Sequence, residues 1–169
     1  SACGNGNDNE SSDNKGDVEL AMVEWDTEIA STNVVKTVLE DMGYSVKITP
    51  LDNAIMWSSV ATGDADAMVA AWLPATHGDQ YEEYKDQADD LGANLEGAKI
   101  GLVVPEYMDV NSIEDLTDEA NKTITGIEAG AGVVNAAEKS IEEYDNLDGW
   151  ELTPSSSGAM VTALGQAID

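Results

Sequence analysis

The chain of 169 residues has no arginine and no phenylalanine, and it has only one cysteine and one histidine. A single Cys forms no disulfide within the chain, and one Cys with one His cannot build a His/Cys zinc site. The basic residues are seven lysines, set against 34 acids for a formal net charge of −27. Such a surface repels phosphates, which argues against nucleic acid or anionic lipid as a direct ligand. No apolar run approaches the roughly 20 residues needed to cross a bilayer. What is present is 42% apolar residues, enough for a real core and against wholesale disorder. The acids are spread over most of the chain, so they read as solvated surface rather than as one cation-binding motif.

The opening Ser1-Ala2-Cys3-Gly4 precedes a polar stretch of Asn, Gly, Asp, Ser and Lys. That composition buries nothing, and residues 1–17 read as a flexible tether. A Cys after two small residues at the head of such a tether resembles the end of a lipobox, so Cys3 is the expected lipid attachment point, with the signal segment expected upstream. At the other end, Met160, Val161, Leu164 and Ile168 recur at helical spacing up to the last residues. The sequence therefore reads as a fragment of a longer protein.

Between the ends, strand and helix signals alternate. Strands are expected at 18–23, 44–49, 67–72, 99–104, 123–127 and 150–152. Helices are expected from Asp26 or Thr27 to Gly43, and at 53–62, 79–91, 112–120, 133–144 and 157–168. This rhythm predicts parallel sheets flanked by helices. The Pro break after the apolar run at 99–104 makes 105–111 the expected boundary, with a first lobe at 18–104 and a second at 105–169. Ligands of α/β sheets sit beyond the carboxyl ends of the strands. The loops to search are thus 24–27, 72–79, 128–132 and 154–158.

Those loops hold the candidate chemistry. Trp25 and Trp72 each follow a strand, and two indoles at equivalent strand ends can face one pocket; an indole face attracts a quaternary ammonium. Either Trp alone is equally a packing residue. His77 lies five residues past Trp72 and can donate to a carboxylate, although a solvent-facing loop His has the same sequence signature. The run Gly126-Ile-Glu-Ala-Gly130-Ala-Gly132 ends a strand and opens a helix, where free main-chain amides bind anions. Its spacing fits neither a dinucleotide fingerprint nor a P-loop, so a small carboxylate suits it better than a nucleotide, and a plain helix-capping turn suits it too. Ser155-Ser156-Ser157-Gly158 is no nucleophile elbow, Asp64 and Asp66 read as turn residues, and Trp57 and Trp150 read as structural.

Several runs together carry a resemblance. They are Val-Glu-Trp-Asp-Thr-Glu-Ile-Ala-Ser-Thr-Asn (23–33), Pro-Leu-Asp-Asn-Ala-Ile-Met-Trp (50–57), Ala-Trp-Leu-Pro-Ala-Thr-His (71–77), the segment 101–116, Thr-Gly-Ile-Glu-Ala-Gly-Ala-Gly (125–132) and Ser-Ser-Ser-Gly-Ala-Met (155–160). From Val18 onward the chain resembles the substrate-binding proteins of glycine betaine/proline betaine ABC importers. The resemblance implies an α/β, periplasmic-binding-protein-like fold of type II: two lobes with parallel-rich sheets flanked by helices, the second lobe incomplete here. It implies a trimethylammonium group held by Trp25 and Trp72, and a carboxylate held by His77 and the amides of Gly132 and Val133. A third Trp, in a Gly-Trp-x-Pro-His-Trp segment, is expected beyond residue 169, and Trp150 does not match it. The implied protein is a lipid-anchored, extracytoplasmic monomer that delivers its ligand to a membrane permease, with no catalysis, metal or cofactor. Choline, lacking a carboxylate, ranks last among its ligands. Two other classes remain open from the residues alone, a surface adhesion or scaffold domain and a hydrolase using His77.

Overall fold

The structure is a computed structural model that describes residues 14–168. Cys3 and most of the polar leader lie outside the described residues. Strand β1 (Asp17–Met22) has Leu20 and Ala21 buried on opposite faces, as expected for an apolar run that is covered on both sides. It pairs in parallel with β2 (Ser45–Pro50), Val18 opposite Val46 and Leu20 opposite Ile48. Residues 15–17, which the sequence groups with the tether, instead join this sheet: Asp17 opens β1, and the Lys15 amide donates to the Gly43 carbonyl. Backbone pairing with 43–45 supplies what their polar side chains do not.

Helix α1 (Asp26–Asp41) crosses between the two strands. Trp25 is its N-cap residue and gives no side-chain cap, so neither Asp26 nor Thr27 caps it as expected. Asp26 and Glu28 instead lie in the first turn, where the helix dipole favours negative charge. Helix α2 (Asn53–Thr62) ends at Gly63, whose φ of 80° closes it in the left-handed conformation. It buries Met56 and Trp57 against Ala21, Val23, Ala65 and Ala70.

The other sheet is β3 (Thr123–Thr125) in parallel with β4 (Glu151–Thr153). Its helices are α4 (Gly132–Glu143) and α5 (Ser157–Ile168), preceded in the chain by the short α3 (Gly78–Tyr84). A separate core of Leu116, Leu147 and Trp150 gathers Leu102, Ile113, Ile124 and Ile141 around it.

Four expected elements differ. The run at 67–72 makes a single bridge, Ala67 to Leu20, before bending toward the Pro74 turn. The run at 99–104 forms no strand among the described residues, and Val103 is 92% exposed; an apolar run becomes a strand only when a partner accepts its ladder bonds. The helix expected over 79–91 stops at Tyr84, because Asp86, Asp89 and Asp90 offer no apolar face and Leu91 stays in solvent. The one expected over 112–120 is reduced to a 3-10 turn at 113–115, with a Ser112–Asp115 capping box, while Ala120, Asn121 and Lys122 turn through positive φ. Leu116 leaves that turn extended and enters the second core, which interrupts the helix.

Candidate functional site

The end of β1 places Trp25 at the mouth of α1, and the loop after Ala70 carries Trp72 and His77 to the same place. The His77 ring lies 5.9 Å from that of Trp25, at 31° between planes, while its other neighbour Trp57 meets it edge-on at 5.8 Å. The main-chain N–H of Trp72 donates to His77 Nδ1 at 3.0 Å, which leaves the proton of a neutral ring on Nε2. His77 is fully buried, not solvent-facing, and Nε2 has no hydrogen-bond partner among the described residues. Burial pushes the imidazole's pKa below its usual 6.5, opposed by the nearby Ala70 carbonyl, so the ring is neutral at pH 7. A buried N–H donor without an acceptor is costly, and here it sits beside two indoles.

The Gly-rich loop meets this cluster from the other sheet. Gly132 begins α4 after Ala131, and no side chain caps that helix. A Cβ on Gly132 would overlap the carbonyl oxygen and γ-methyl of Thr76, the residue before His77. Glycine is therefore what allows the start of α4 to rest on the His77 loop. The amides of Gly132 and Val133 stand at that helix start, and neither has an acceptor among the described residues. Helix N-terminal amides in this position are suited to a carboxylate. Trp25, Trp72 and His77 are thus gathered at one place, and the start of α4, which carries Gly132 and Val133, rests on the His77 loop at Thr76.

Sequence reasoning missed the two carboxylates that fix the indoles. Trp25 Nε1 donates to Glu128 Oε1 at 2.5 Å, across 103 residues of chain. Trp72 Nε1 donates to Glu28 Oε1 at 3.0 Å. Glu28 is buried, with the hydroxyls of Thr27 and Ser31 at 3.4 Å, and burial raises its pKa above the ordinary carboxylate value while those hydrogen bonds hold it back. No sequence signal marks them: Glu28 lies one turn past Trp25 yet bonds Trp72, and Glu128 bonds Trp25 from 103 residues away. No group of three or more His, Cys, Asp or Glu side chains suited to a metal occurs among the described residues.

Known proteins share this arrangement of sequence and fold. The chain aligns with the glycine betaine/carnitine transport binding protein GbuC of Listeria monocytogenes at 56% identity over 101 residues, which is 59% of this chain and 34% of that protein. It superposes on lactococcal OpuAC, crystallised closed with glycine betaine, with a TM-score of 0.87 and 58% identity over 90% of this chain and 60% of that one. A second superposition is on the glycine betaine/L-proline-binding protein ProX of Borrelia burgdorferi, with a TM-score of 0.85 and 37% identity over 90% of this chain and 58% of the other. These neighbours have the type II periplasmic-binding-protein fold. The chain spans a third of the curated relative and under two thirds of the solved chains. The profile of the substrate-binding domain of ABC-type glycine betaine transport systems matches residues 16–169, and the chain belongs to that family.

Proposed function

We propose that this chain forms most of the ligand-binding part of an extracytoplasmic protein that captures glycine betaine, or a related quaternary-ammonium osmolyte, for an ABC importer. The observation that carries this reading is the buried His77, its unpartnered Nε2 beside Trp25 and its Nδ1 tied to the Trp72 amide. In this reading the methylated ammonium lies against the faces of Trp25 and Trp72. Apolar aromatic walls accept methyl groups and penalise a protonated amine, whose N–H donors would go unpaired. The ligand carboxylate takes the His77 Nε2–H and the amides of Gly132 and Val133.

No chemistry is required of these residues. His77 is unsuited to act as a base, because the lone pair on Nδ1 is already engaged and Nε2 carries the proton. In this reading the first lobe spans 18–104 and the second 105–169, and closure between lobes would present the loaded protein to a membrane permease. Cys3 is the proposed lipid anchor, which would keep the protein at the outer face of the cytoplasmic membrane.

Calorimetric titration of the full-length protein tests the reading. Glycine betaine binds the parent, and Trp72→Ala weakens it by at least about tenfold, the loss expected when one desolvated cation–π contact disappears. Unaltered affinity in a folded Trp72→Ala protein overturns the cage assignment.

A further inference from the structure

We infer that Glu28 and Glu128 are positioning residues that set the charge selectivity of the indole pair. Each holds one ring by its N–H edge and, as an anion, makes the ring face more attractive to a cation than to a neutral group of the same shape. This rests on the betaine reading above and adds to it a source of discrimination that the apolar walls alone do not supply.

The observations are specific to these two carboxylates. Each accepts the indole N–H of a different Trp, Glu128 from Trp25 at 2.5 Å and Glu28 from Trp72 at 3.0 Å. Neither takes part in a lysine pair among the described residues; the five lysines found in such pairs bind Glu40, Glu19, Glu82, Asp118 and Glu143. Glu28 is only 6% exposed. A carboxylate buried without a cation is costly unless something offsets it, and here only an indole N–H and two distant hydroxyls do so. A quaternary ammonium on the Trp72 face would supply the missing positive charge.

The physical link runs through the ring. An N–H that donates to a carboxylate is a charge-assisted bond, and it shifts electron density from the N–H into the indole. The face of the ring becomes more negative, and the attraction for a cation above it grows. The carboxylate also adds a direct Coulomb attraction in a site where little water screens it. A neutral tert-butyl group gains from neither effect. Ring orientation alone would favour both heads equally, and that difference separates the two roles.

The experiment compares glycine betaine with 3,3-dimethylbutanoate, its carbon isostere, which keeps the carboxylate and replaces the ammonium by a neutral tert-butyl group. Both are titrated into the full-length parent protein, Glu28→Gln, Glu128→Gln and the double variant, with thermal melts confirming the fold. Gln keeps an oxygen for the indole N–H and removes the charge. The expected result is a loss of betaine affinity of roughly tenfold per variant, while affinity for the isostere holds or rises. Equal losses for both ligands would show the carboxylates to be mere props for the rings and overturn the inference, as would unchanged betaine binding. If burial makes Glu28→Gln misfold, the half-buried Glu128 carries the same test alone. A parent protein that fails to bind betaine overturns the underlying reading instead, an outcome distinct from selective failure in the variants.

Discussion

Gly132 shows how closely the candidate site is fitted at the scale of single residues. A Cβ there would fall on the carbonyl oxygen and methyl of Thr76, so any side chain must push the His77 loop away from the start of α4. Gly132→Ala is expected to cost about 1–3 kcal/mol, as overpacking against fixed backbone does, and, on the proposed reading, to weaken betaine binding, because the amides and imidazole proposed to hold the carboxylate would shift. A denaturant midpoint and a calorimetric titration measure the two effects. A variant unchanged in both would mean that the Thr76 loop yields freely. The contact was not legible in the sequence, where Gly130 and Gly132 look like interchangeable turn residues, yet only Gly130 has the positive φ, 86°. The aromatic and imidazole candidates were legible because Trp and His are rare in this chain. Glu28 and Glu128 were not, since they are two acids among 34, and only the indole nitrogens single them out.

Among the elements, those with their own punctuation were read correctly. Helix α2 ends on Gly63, whose left-handed φ suits a residue without a Cβ, whereas Asp52 at its start gives no side-chain cap. Likewise β1 and β2 are legible because each buries apolar residues against the other's neighbours. The runs at 67–72 and 99–104 were read as strands on composition, but strand formation depends on a partner that composition cannot supply. Helix α2 also carries the packing that holds His77 in place, through Trp57 at 5.8 Å. Met56, its neighbour on the buried side, is fully enclosed with Ala21, Val23 and Ala70. Met56→Ala is expected to destabilise the fold by about 2–5 kcal/mol through lost burial and a residual cavity. Chemical denaturation checks this; a cost below about 1 kcal/mol would mean the core around α2 collapses into the gap.

Across the whole molecule, the dominant fact is the imbalance of charge. The five lysine–carboxylate pairs among the described residues all sit at the surface, each with at least one side chain 40% or more exposed. Exposed pairs of this kind contribute about 0–1 kcal/mol each. Against them stands a net charge of −27, which opposes compaction by self-repulsion. Both effects are screened by salt, so the sign of the response shows which is larger. Few attractive pairs and many surplus acids predict that repulsion dominates, and added salt then stabilises the fold. Screening sharpens most at low ionic strength, where the Debye length falls from about 30 Å at 0.01 M to about 10 Å at 0.1 M. The melting temperature of this chain should therefore climb steeply over that interval, in NaCl and KCl alike, and more gently above it. Anion-specific effects on hydrophobic burial grow mainly at high concentration and follow the identity of the salt, so a rise confined to molar sulfate would not have this origin. A melting temperature that stays level or falls between 0.01 and 0.1 M would show that the surplus carboxylates are already far enough apart, or well enough hydrated, to carry no net strain.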